Sequence, residues 1–178
     1  MKYTVCISVM VQRGMCGISS RMVLKKVISG GQTGVDRAAL DAALCAGIPA
    51  GGYCPRGRLS EDGTIPSRYP LIETESRKYR VRTEMNVLES DGTLIISSGT
   101  LSGGTKLTAE FAQRHKRPFL VVHMDALDEI REAVSWIISN SIQVMNVAGP
   151  RESDPTGDIY DRSYTFLKGL FARLGDDR

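Results

Sequence analysis

Short runs of β-branched residues alternate with helical stretches along most of this sequence, and this alternation restricts the fold more than any other feature. The predicted strands span residues 23–29, 50–53, 93–98, 118–124 and 142–148. The predicted helices span residues 35–46, 79–90, 101–116, 125–140 and 158–174. Strands that alternate with helices form a parallel sheet through right-handed crossovers. The sequence therefore predicts a three-layer α/β fold with a mainly parallel sheet.

The length of 178 residues fits one domain. Residues 1–21 carry three basic residues and no acid, so the formal net charge of +3 lies there and the remainder sums to zero. The basic character of the chain is therefore no argument for a nucleic-acid partner. We expect a poorly determined N-terminal leader over residues 1–21, which is either dispensable or follows from an upstream start codon with Met22 as the working start. We expect a single ligand-binding domain over 22–178.

The cysteine and histidine content bounds the chemistry and the compartment. The four cysteines form no CxxC pair and the chain has two histidines, so a metal site built from protein side chains is not expected. No apolar run approaches the ~20 residues that a membrane span needs. A reduced, cytoplasmic compartment is the default for such a chain.

Three of the predicted strand ends are rich in glycine and hydroxyl side chains: SGGQTG at 29–34, SSGTLSGGT at 97–105 and VAGPRES at 147–153. Glycine lets the backbone approach a ligand closely. A helix that follows such a loop offers unpaired N–H groups and partial positive charge. Because parallel strands bring their carboxyl ends to one edge of the sheet, we expect these loops to form a cradle for an anion such as phosphate.

The first of these loops differs from the two best-known nucleotide-binding loops. Residues 33–36 (TGVD) stand where a P-loop requires Gly-Lys-Ser/Thr, which disfavours ATP or GTP hydrolysis of that kind. The loop also lacks a full GxGxxG, and the strand at 50–53 ends without an acid for an adenosine ribose. NAD binding in the usual Rossmann mode is therefore disfavoured as well.

Charged side chains near the glycine-rich loops supply the candidates for ligand contact. Arginine suits a bidentate grip on phosphate, and Arg56, Arg82 and Arg151 lie on or near these strand ends. Asp36 has two readings: it complements the start of its helix, or it accepts a hydrogen bond from a sugar or pterin.

The long polar segment at 54–70 is a candidate cover for the ligand, because loops of that length in compact domains are usually functional or mobile. Tyr53 and Tyr69 beside it are candidates to cover a ring. His115 falls near a helix end and His123 inside an apolar strand, so no nucleophile–base pair stands out. We predict no catalytic residue.

Five runs in order resemble the molybdenum-cofactor carrier family: ISGGQTGVDRAALDAA, GGYCPRGRLSEDGTIP, RTEMNVLESDGTLIIS, LSGGTKLT and NVAGPRES. This family belongs to a Rossmann-like group that includes the Lonely-guy cytokinin-activating hydrolases and the DNA-processing protein DprA. The resemblance implies a self-associating Rossmann-like domain with a pocket for a phosphorylated ligand, the molybdenum cofactor. That cofactor holds its metal through its own dithiolene, so the protein need supply no metal ligand.

The hydrolases of this group use the motif Pro-Gly-Gly-x-Gly-Thr-x-x-Glu with an upstream arginine, which Arg82 resembles. Residues 101–108 here lack one glycine step, and Thr108 stands in place of the glutamate. A pocket that keeps its phosphate cradle and lacks its acid is expected to bind its ligand more readily than to cleave it. The acids that could replace that glutamate from other strand ends are Glu61, Asp62 and Glu84.

The resulting hypothesis is a cytoplasmic, homo-oligomeric carrier of a phosphate-bearing ligand, either the molybdenum cofactor or a nucleotide, with neither a nucleic acid nor a membrane as partner. The alternative is a hydrolase of nucleoside phosphates or nucleotide sugars. The predicted ligand-binding residues are Gly30, Gly31, Gln32, Thr33, Gly34, Asp36, Arg56, Arg82, Ser102, Gly103, Gly104, Thr105 and Arg151.

Overall fold

A parallel sheet with helices packed against it makes up the part of the chain that a computed structural model describes, residues 24–97, 99–123, 127–155 and 157–176. The helices are α1 (Val35–Cys45), α2 (Tyr79–Leu88), α3 (Gly103–Arg114), α4 (Leu127–Ser139) and α5 (Ile159–Asp176). The strands are β1 (Lys26–Ile28), β2 (Ala50–Gly51), β3 (Tyr53–Cys54), β4 (Leu59–Ser60), β5 (Gly63–Thr64), β6 (Ile72–Glu73), β7 (Gly92–Ser97), β8 (Phe119–His123) and β9 (Val144–Ala148). The predicted leader over 1–21 lies outside the described residues.

Five strands form the central sheet in the order β2-β1-β9-β7-β8, and every neighbouring pair is parallel. All six residues of β7 are buried, as expected of a strand covered on both faces. The predicted strand at 50–53 is divided, because β2 joins the central sheet while β3 pairs with β6. The three-layer α/β fold with a parallel sheet is confirmed.

The strand order shows that the Rossmann topology is permuted in this chain. Strand β9 comes after the other strands along the described chain but lies in the centre of the sheet, between β1 and β7. If the strands of this sheet are counted from β9 and then from β1 onward, their spatial order is 3-2-1-4-5, which is the Rossmann order. Strand β9 therefore corresponds to the first strand of a Rossmann domain, although it follows the other strands of the sheet along this chain.

The helices divide between two layers. Helices α1 and α4 both contact α5, and residues of all three share the main core with β1, β7, β8 and β9. Helices α2 and α3 contact each other and form a separate cluster of Val87, Phe111 and Ala112. This division follows from right-handed crossovers, because connections that run in opposite directions along the sheet lie on opposite faces.

The segment at 54–70 is a packed element and not a structureless loop. Cys54, Ile65 and Tyr69 are buried in a satellite cluster against Leu40 of α1. The guanidinium of Arg58 donates to four backbone carbonyls within residues 65–71, at 2.9 to 3.2 Å. The half-buried guanidinium of Arg58 thus holds the segment in this conformation.

Tyr69 does not have the place expected for a residue that covers a ligand ring. Its side chain is buried, and its hydroxyl donates to Asp41 of α1 at 2.8 Å. Burial and the hydrogen bond to Asp41 both raise the pKa of Tyr69. Tyr69 is therefore a core residue of the satellite cluster, and the expectation that it stacks on a ligand is wrong.

A buried ion pair joins α1 to α2 across the edge of the sheet. Asp36 Oδ2 accepts hydrogen bonds from Arg82 Nη1 at 3.1 Å and from the backbone N–H of Gln32 at 3.2 Å. The two charged side chains are only 5% and 13% exposed. A Cβ at Gly30 would come within 1.6 Å of Arg82 Nη1, so the guanidinium occupies the space that a side chain would take.

We predict that Gly30→Ala destabilises the fold by about 3 kcal/mol. The new methyl group would displace Arg82 and leave Asp36 buried without its partner, and breaking a buried ion pair typically costs that much. The free energy of unfolding from urea titrations measures the effect. Gly104→Ala is the matched control, because a Cβ there meets no atom within 4 Å. Equal losses in the two variants would contradict the prediction.

A second ion pair makes part of the stability depend on pH. Arg37 in the first turn of α1 donates to both oxygens of Asp62, at 2.6 and 2.8 Å. Hydrogen bonds from Arg37 and Ser60 lower the pKa of Asp62 from its ordinary 3.8 to about 2. A carboxyl with a lowered pKa stabilises the fold above its ordinary pKa, and that stability is lost as pH falls through the folded-state value.

We therefore expect Asp62→Asn to lower the thermal midpoint at pH 6, and we expect this difference from the wild type to shrink as pH falls from 4 to 2. The loss at pH 6 should stay below about 1 kcal/mol, because Asp62 is half exposed. Thermal melts of both proteins at several pH values measure it. A difference that stays constant down to pH 2 would show that the charge of Asp62 does not contribute.

Candidate functional site

Three glycine-rich loops meet at one edge of the sheet, as the sequence predicts. They follow β1, β9 and β7, which are adjacent and parallel. A pocket of about 430 Å³ lies between these loops and α2. Rossmann-type sheets bind ligands at this position, where connections leave toward opposite faces.

The pocket contains most but not all of the predicted binding residues. The predicted residues that line it are Gln32, Asp36, Arg82, Ser102, Gly103, Gly104, Thr105 and Arg151. The other predicted residues, which do not line it, are Gly30, Gly31, Thr33, Gly34 and Arg56. The structure thus brings the second and third loops to the ligand side and keeps most of the first loop behind the wall.

The glycines of the first loop serve close packing. Gly34 has φ 70°, and a Cβ there would lie 2.7 Å from the carbonyl oxygen of Pro150. Gly31 has φ 75° and lies against the side chain of Leu71. The loops after β1 and β9 are therefore packed backbone to backbone, which only glycine permits here.

The N–H groups at the start of α1 are already used within the protein. The N–H of Thr33 donates to Gln32 Oε1 at 3.0 Å, and that of Val35 donates to the carbonyl of Pro150 at 3.2 Å. The hydroxyl of Thr33 is bonded to Glu61. These N–H groups are therefore not free to contribute to the double cradle expected from two helix starts.

The start of α3 is open toward the pocket. Its N-cap Ser102 makes no side-chain capping bond. Ser102, Gly103 and Gly104 are exposed, and a Cβ on either glycine would meet nothing within 4 Å. A helix start of this kind presents unpaired N–H groups and the positive end of the helix dipole, which favours an anion.

Arginines line the same pocket as this helix start. Arg151 lies over the ring of Tyr79 at 5.1 Å, and Arg80 lies over the ring of Phe111 at 5.1 Å. Arg82 is paired with Asp36, so Arg80 and Arg151 are the other arginines of the lining, which also contains Asp154.

Arg56 lies apart from this group. It is exposed and lines a separate shallow depression with Glu73, Thr74 and Glu75. Its predicted role as a ligand contact stays a prediction, and the pocket at the edge of the sheet does not include it.

Tyr79 and Arg80 were not among the predicted site residues, although both line the pocket. Tyr79, Arg82 and Thr83 have the i, i+3 and i+4 spacing of residues on one helix face. Because Arg82 was a predicted site residue, this spacing could have identified Tyr79 as well. It could not have shown that this face of α2 looks onto the glycine-rich loops.

The acids that could replace a catalytic glutamate lie outside the pocket lining. Glu61 is bonded to Thr33 and to Ser153, Asp62 to Arg37, and Glu84 to His115 at 2.9 Å. Burial tends to raise the pKa of Glu61, but its hydrogen bonds with Ser153 and Thr33 lower it below the ordinary value. Within the described ranges, Asp36 and Asp154 are the acids that line the pocket.

Thr108 itself lines the pocket but cannot act as a base. Its side chain is buried, and its hydroxyl donates to the carbonyl of Gly104 at 2.9 Å. The position that the resemblance aligns with the acid of the hydrolases therefore holds a hydroxyl whose hydrogen bond is satisfied within α3.

Two buried nitrogen atoms of the lining have no hydrogen-bond partner: Nε2 of Gln32 and Nε of Arg82. The oxygen of the same Gln32 amide accepts from the N–H of Thr33 and from the N–H of Glu61, at 3.0 and 2.9 Å. Both nitrogen atoms are buried within the protein.

The described ranges contain neither a cluster of metal ligands nor a membrane-spanning helix. No group of three or more histidine, cysteine, aspartate or glutamate residues there is arranged to hold a metal ion. None of the helices in this part of the chain is long and apolar enough to cross a membrane.

The comparisons with known proteins agree with this architecture. The family model of the circularly permutated YpsA SLOG family matches residues 27–171. A crystal structure at 1.45 Å resolution of the Putative molybdenum carrier protein from Syntrophus aciditrophicus SB is 47% identical in sequence, with a TM-score of 0.78. The match covers 83% of this chain and 95% of that one. No curated protein matches the chain.

The family description and the strand order support each other. The family is named for a circular permutation, and β9 occupies the place of the first Rossmann strand. The resemblance to molybdenum carrier proteins seen in the sequence is confirmed by the identity to the Syntrophus protein. This chain therefore belongs to the circularly permutated YpsA SLOG family.

Proposed function

We propose that this protein binds and carries a small phosphate-bearing ligand, with the phosphate seated at the start of α3. The observation that carries the proposal is the open helix start, where Gly103 and Gly104 face the pocket with no side chain over them. Backbone N–H groups in that position, reinforced by the helix dipole, are the common protein site for phosphate.

The charges around the helix start support an anionic ligand. Arg80 and Arg151 line the same pocket and are held in place by the rings beneath them. Arginines fixed in this way bind a phosphate with little loss of side-chain freedom. Asp36 does not oppose the ligand, since Arg82 neutralises it.

The volume of about 430 Å³ suits a phosphorylated heterocycle. The molybdenum cofactor, a phosphorylated pterin, is the ligand we favour, because the related Syntrophus protein bears the name of a molybdenum carrier. The dithiolene of this cofactor holds the metal, so the protein has to supply only hydrogen-bond donors for the phosphate and for the ring. The pocket lining contains hydrogen-bond donors. A nucleotide is the second candidate.

From the resemblance to molybdenum carrier proteins we also propose that the protein is a cytoplasmic homo-oligomer.

Binding without cleavage is favoured over the hydrolase alternative by the chemistry at position 108. A general acid or base must be free to exchange a proton, and the buried hydroxyl of Thr108 is committed to the carbonyl of Gly104. The hydrolase alternative predicts steady release of base or sugar phosphate from nucleotides. Liquid chromatography of nucleoside monophosphates incubated with the protein tests this, and steady turnover would overturn the carrier proposal.

We predict that Gly104→Asp weakens the binding of nucleoside monophosphates by more than about tenfold, because its carboxylate repels phosphate at the helix start. The same substitution should leave the fold intact or slightly stabilised, since an acid is favourable in a first helical turn and the space is open. Isothermal titration with GMP and ribose 5-phosphate measures the affinity, and thermal melts measure the stability.

Gly104→Asn is the matched control, because it has the same shape without the charge and should change the affinity only a few fold. Native mass spectrometry of the protein taken directly from cells would identify the ligand by mass. If Gly104→Asp binds phosphate compounds as well as the wild type does, the phosphate does not sit at α3 and the proposal is wrong.

A further inference from the structure

Glu61 joins the segment at 54–70 to two of the glycine-rich loops without lining the pocket itself. Resting on the function proposed above, we propose that Glu61 is a positioning residue for the ligand: its carboxylate fixes the turn after β9, so that Arg151 stays in the pocket. The segment at 54–70 then contributes to ligand binding through the loop that it holds and not through contact with the ligand.

The turn after β9 spans residues 151–154. The N–H of Asp154 donates to the carbonyl of Arg151 at 3.1 Å, which closes the turn. Three of its four residues, Arg151, Ser153 and Asp154, line the pocket. Because Arg151, Glu152 and Ser153 are exposed, side-chain packing does little to order this turn, and its order depends on hydrogen bonds.

The carboxylate of Glu61 binds the middle of this turn. Its Oε2 accepts a hydrogen bond from the hydroxyl of Ser153 at 2.5 Å, and its Oε1 accepts one from the N–H of Ser153 at 3.3 Å. Oε1 also accepts from the hydroxyl of Thr33, and that hydroxyl accepts from the N–H of Glu152 at 3.3 Å. Two successive residues of the turn are thus tied to one carboxylate, either directly or through Thr33.

Glu61 is itself held in place by the protein. It lies in the two-residue turn between β4 and β5, and its N–H donates to Oε1 of the buried Gln32 side chain at 2.9 Å. Burial tends to raise the pKa of Glu61, but its hydrogen bonds with Ser153 and Thr33 lower it below the ordinary value. The carboxylate is therefore ionised at neutral pH, and both of its oxygens act as acceptors.

The charge of Glu61 and its hydrogen bonds have opposite effects on an anionic ligand. A carboxylate near Arg151 lowers the positive potential that a phosphate meets. A turn that is ordered before the ligand arrives removes the free-energy cost of ordering Arg151 during binding. Substitutions that separate these two effects therefore test the proposal.

We expect Glu61→Ala to weaken the binding of GMP by about tenfold, because the ligand must then order the turn and its arginine. Glu61→Gln is the matched variant, since its amide keeps an oxygen for Thr33 and for the N–H of Ser153, and its NH₂ group can donate to the Ser153 hydroxyl. It should bind GMP at least as tightly as the wild type, because the turn stays held and the negative charge is gone. Isothermal titration measures the affinities, and thermal melts show that each variant is folded.

Asp62→Ala controls for damage to the hairpin. Asp62 is the other residue of the turn between β4 and β5, and it pairs with Arg37 of α1 instead of the loop after β9. It should lower the thermal midpoint but keep the GMP affinity within about twofold of the wild-type value, as expected of a site that shares no partner with the pocket.

Thr33→Val decides the question if Glu61→Ala does not fold. Thr33 does not line the pocket, and valine keeps its shape while removing the hydroxyl that joins Glu61 to Glu152. We expect this variant to weaken GMP binding several fold.

A double-mutant cycle tests whether Glu61 acts through Arg151. In an Arg151→Ala background, Glu61→Ala should change the GMP affinity much less than it does in the wild type, because the side chain whose position it fixes is absent. A merely structural role of Glu61 would give the same loss in both backgrounds.

The outcomes separate this inference from the proposed function. If Glu61→Ala binds GMP as tightly as Glu61→Gln does, or loses the same affinity with and without Arg151, the inference is wrong while the phosphate seat at α3 stands. Failure of the wild type to bind GMP and ribose 5-phosphate would overturn the proposed function and this inference with it.

Discussion

The buried ion pair between Asp36 and Arg82 is the interaction on which the rest of the site depends. A charge this deep is tolerated only when it is paired and hydrogen-bonded. The pair holds the first turn of α1, the middle of α2 and the loop after β1 in one arrangement. It requires an empty position at Gly30, since any side chain there would occupy the space of the guanidinium. This wall of the pocket therefore depends on the absence of a side chain at Gly30 and on the ion pair between Asp36 and Arg82.

The position of the pocket follows from the topology. Because β9 lies between β1 and β7, its loop runs between a helix start that is closed and one that is open. The carbonyl of Pro150 accepts the N–H of Val35 at the start of α1, whereas the exposed N-cap Ser102 of α3 makes no side-chain capping bond. The two helix starts look alike in the sequence but differ in the structure. The start of α1 is bonded to the loop after β9, and the start of α3 is open.

The sequence specified the fold well, because alternation and burial are local properties. The continuous apolar run in β7 and the spacing of apolar residues in the helices were sufficient for a parallel sheet with helices on both faces. The convergence of the three glycine-rich loops also followed, since the carboxyl ends of parallel strands share an edge. The family could be identified from the sequence because five of its motifs stand in order along the chain.

The details of the site depended on contacts between residues far apart in the chain, which a pattern does not contain. Arg56 and Tyr69 lie in the same long segment, yet one faces a different depression and the other is buried against α1. The bond between Glu61 and Ser153 joins residues 92 positions apart and occupies an acid that had been a candidate for catalysis. Tyr79 lines the pocket because of the way α2 packs, which its position in the sequence does not reveal. Sequence spacing identifies residues on one face of a helix but not what that face meets.

The central place of β9 has a consequence for how the molecule assembles. The hydroxyl of Ser29 donates to the carbonyl of Val147 at 2.7 Å, across 118 residues of chain. During synthesis β1 and β7 emerge before β9, so the strand edges that will pair with β9 lack their hydrogen-bond partners until β9 is made. Contacts of such long sequence separation form slowly, and exposed strand edges invite wrong pairing meanwhile. The two pairs β2-β1 and β7-β8 therefore cannot join into one sheet until β9, which follows them along the chain, has been synthesised.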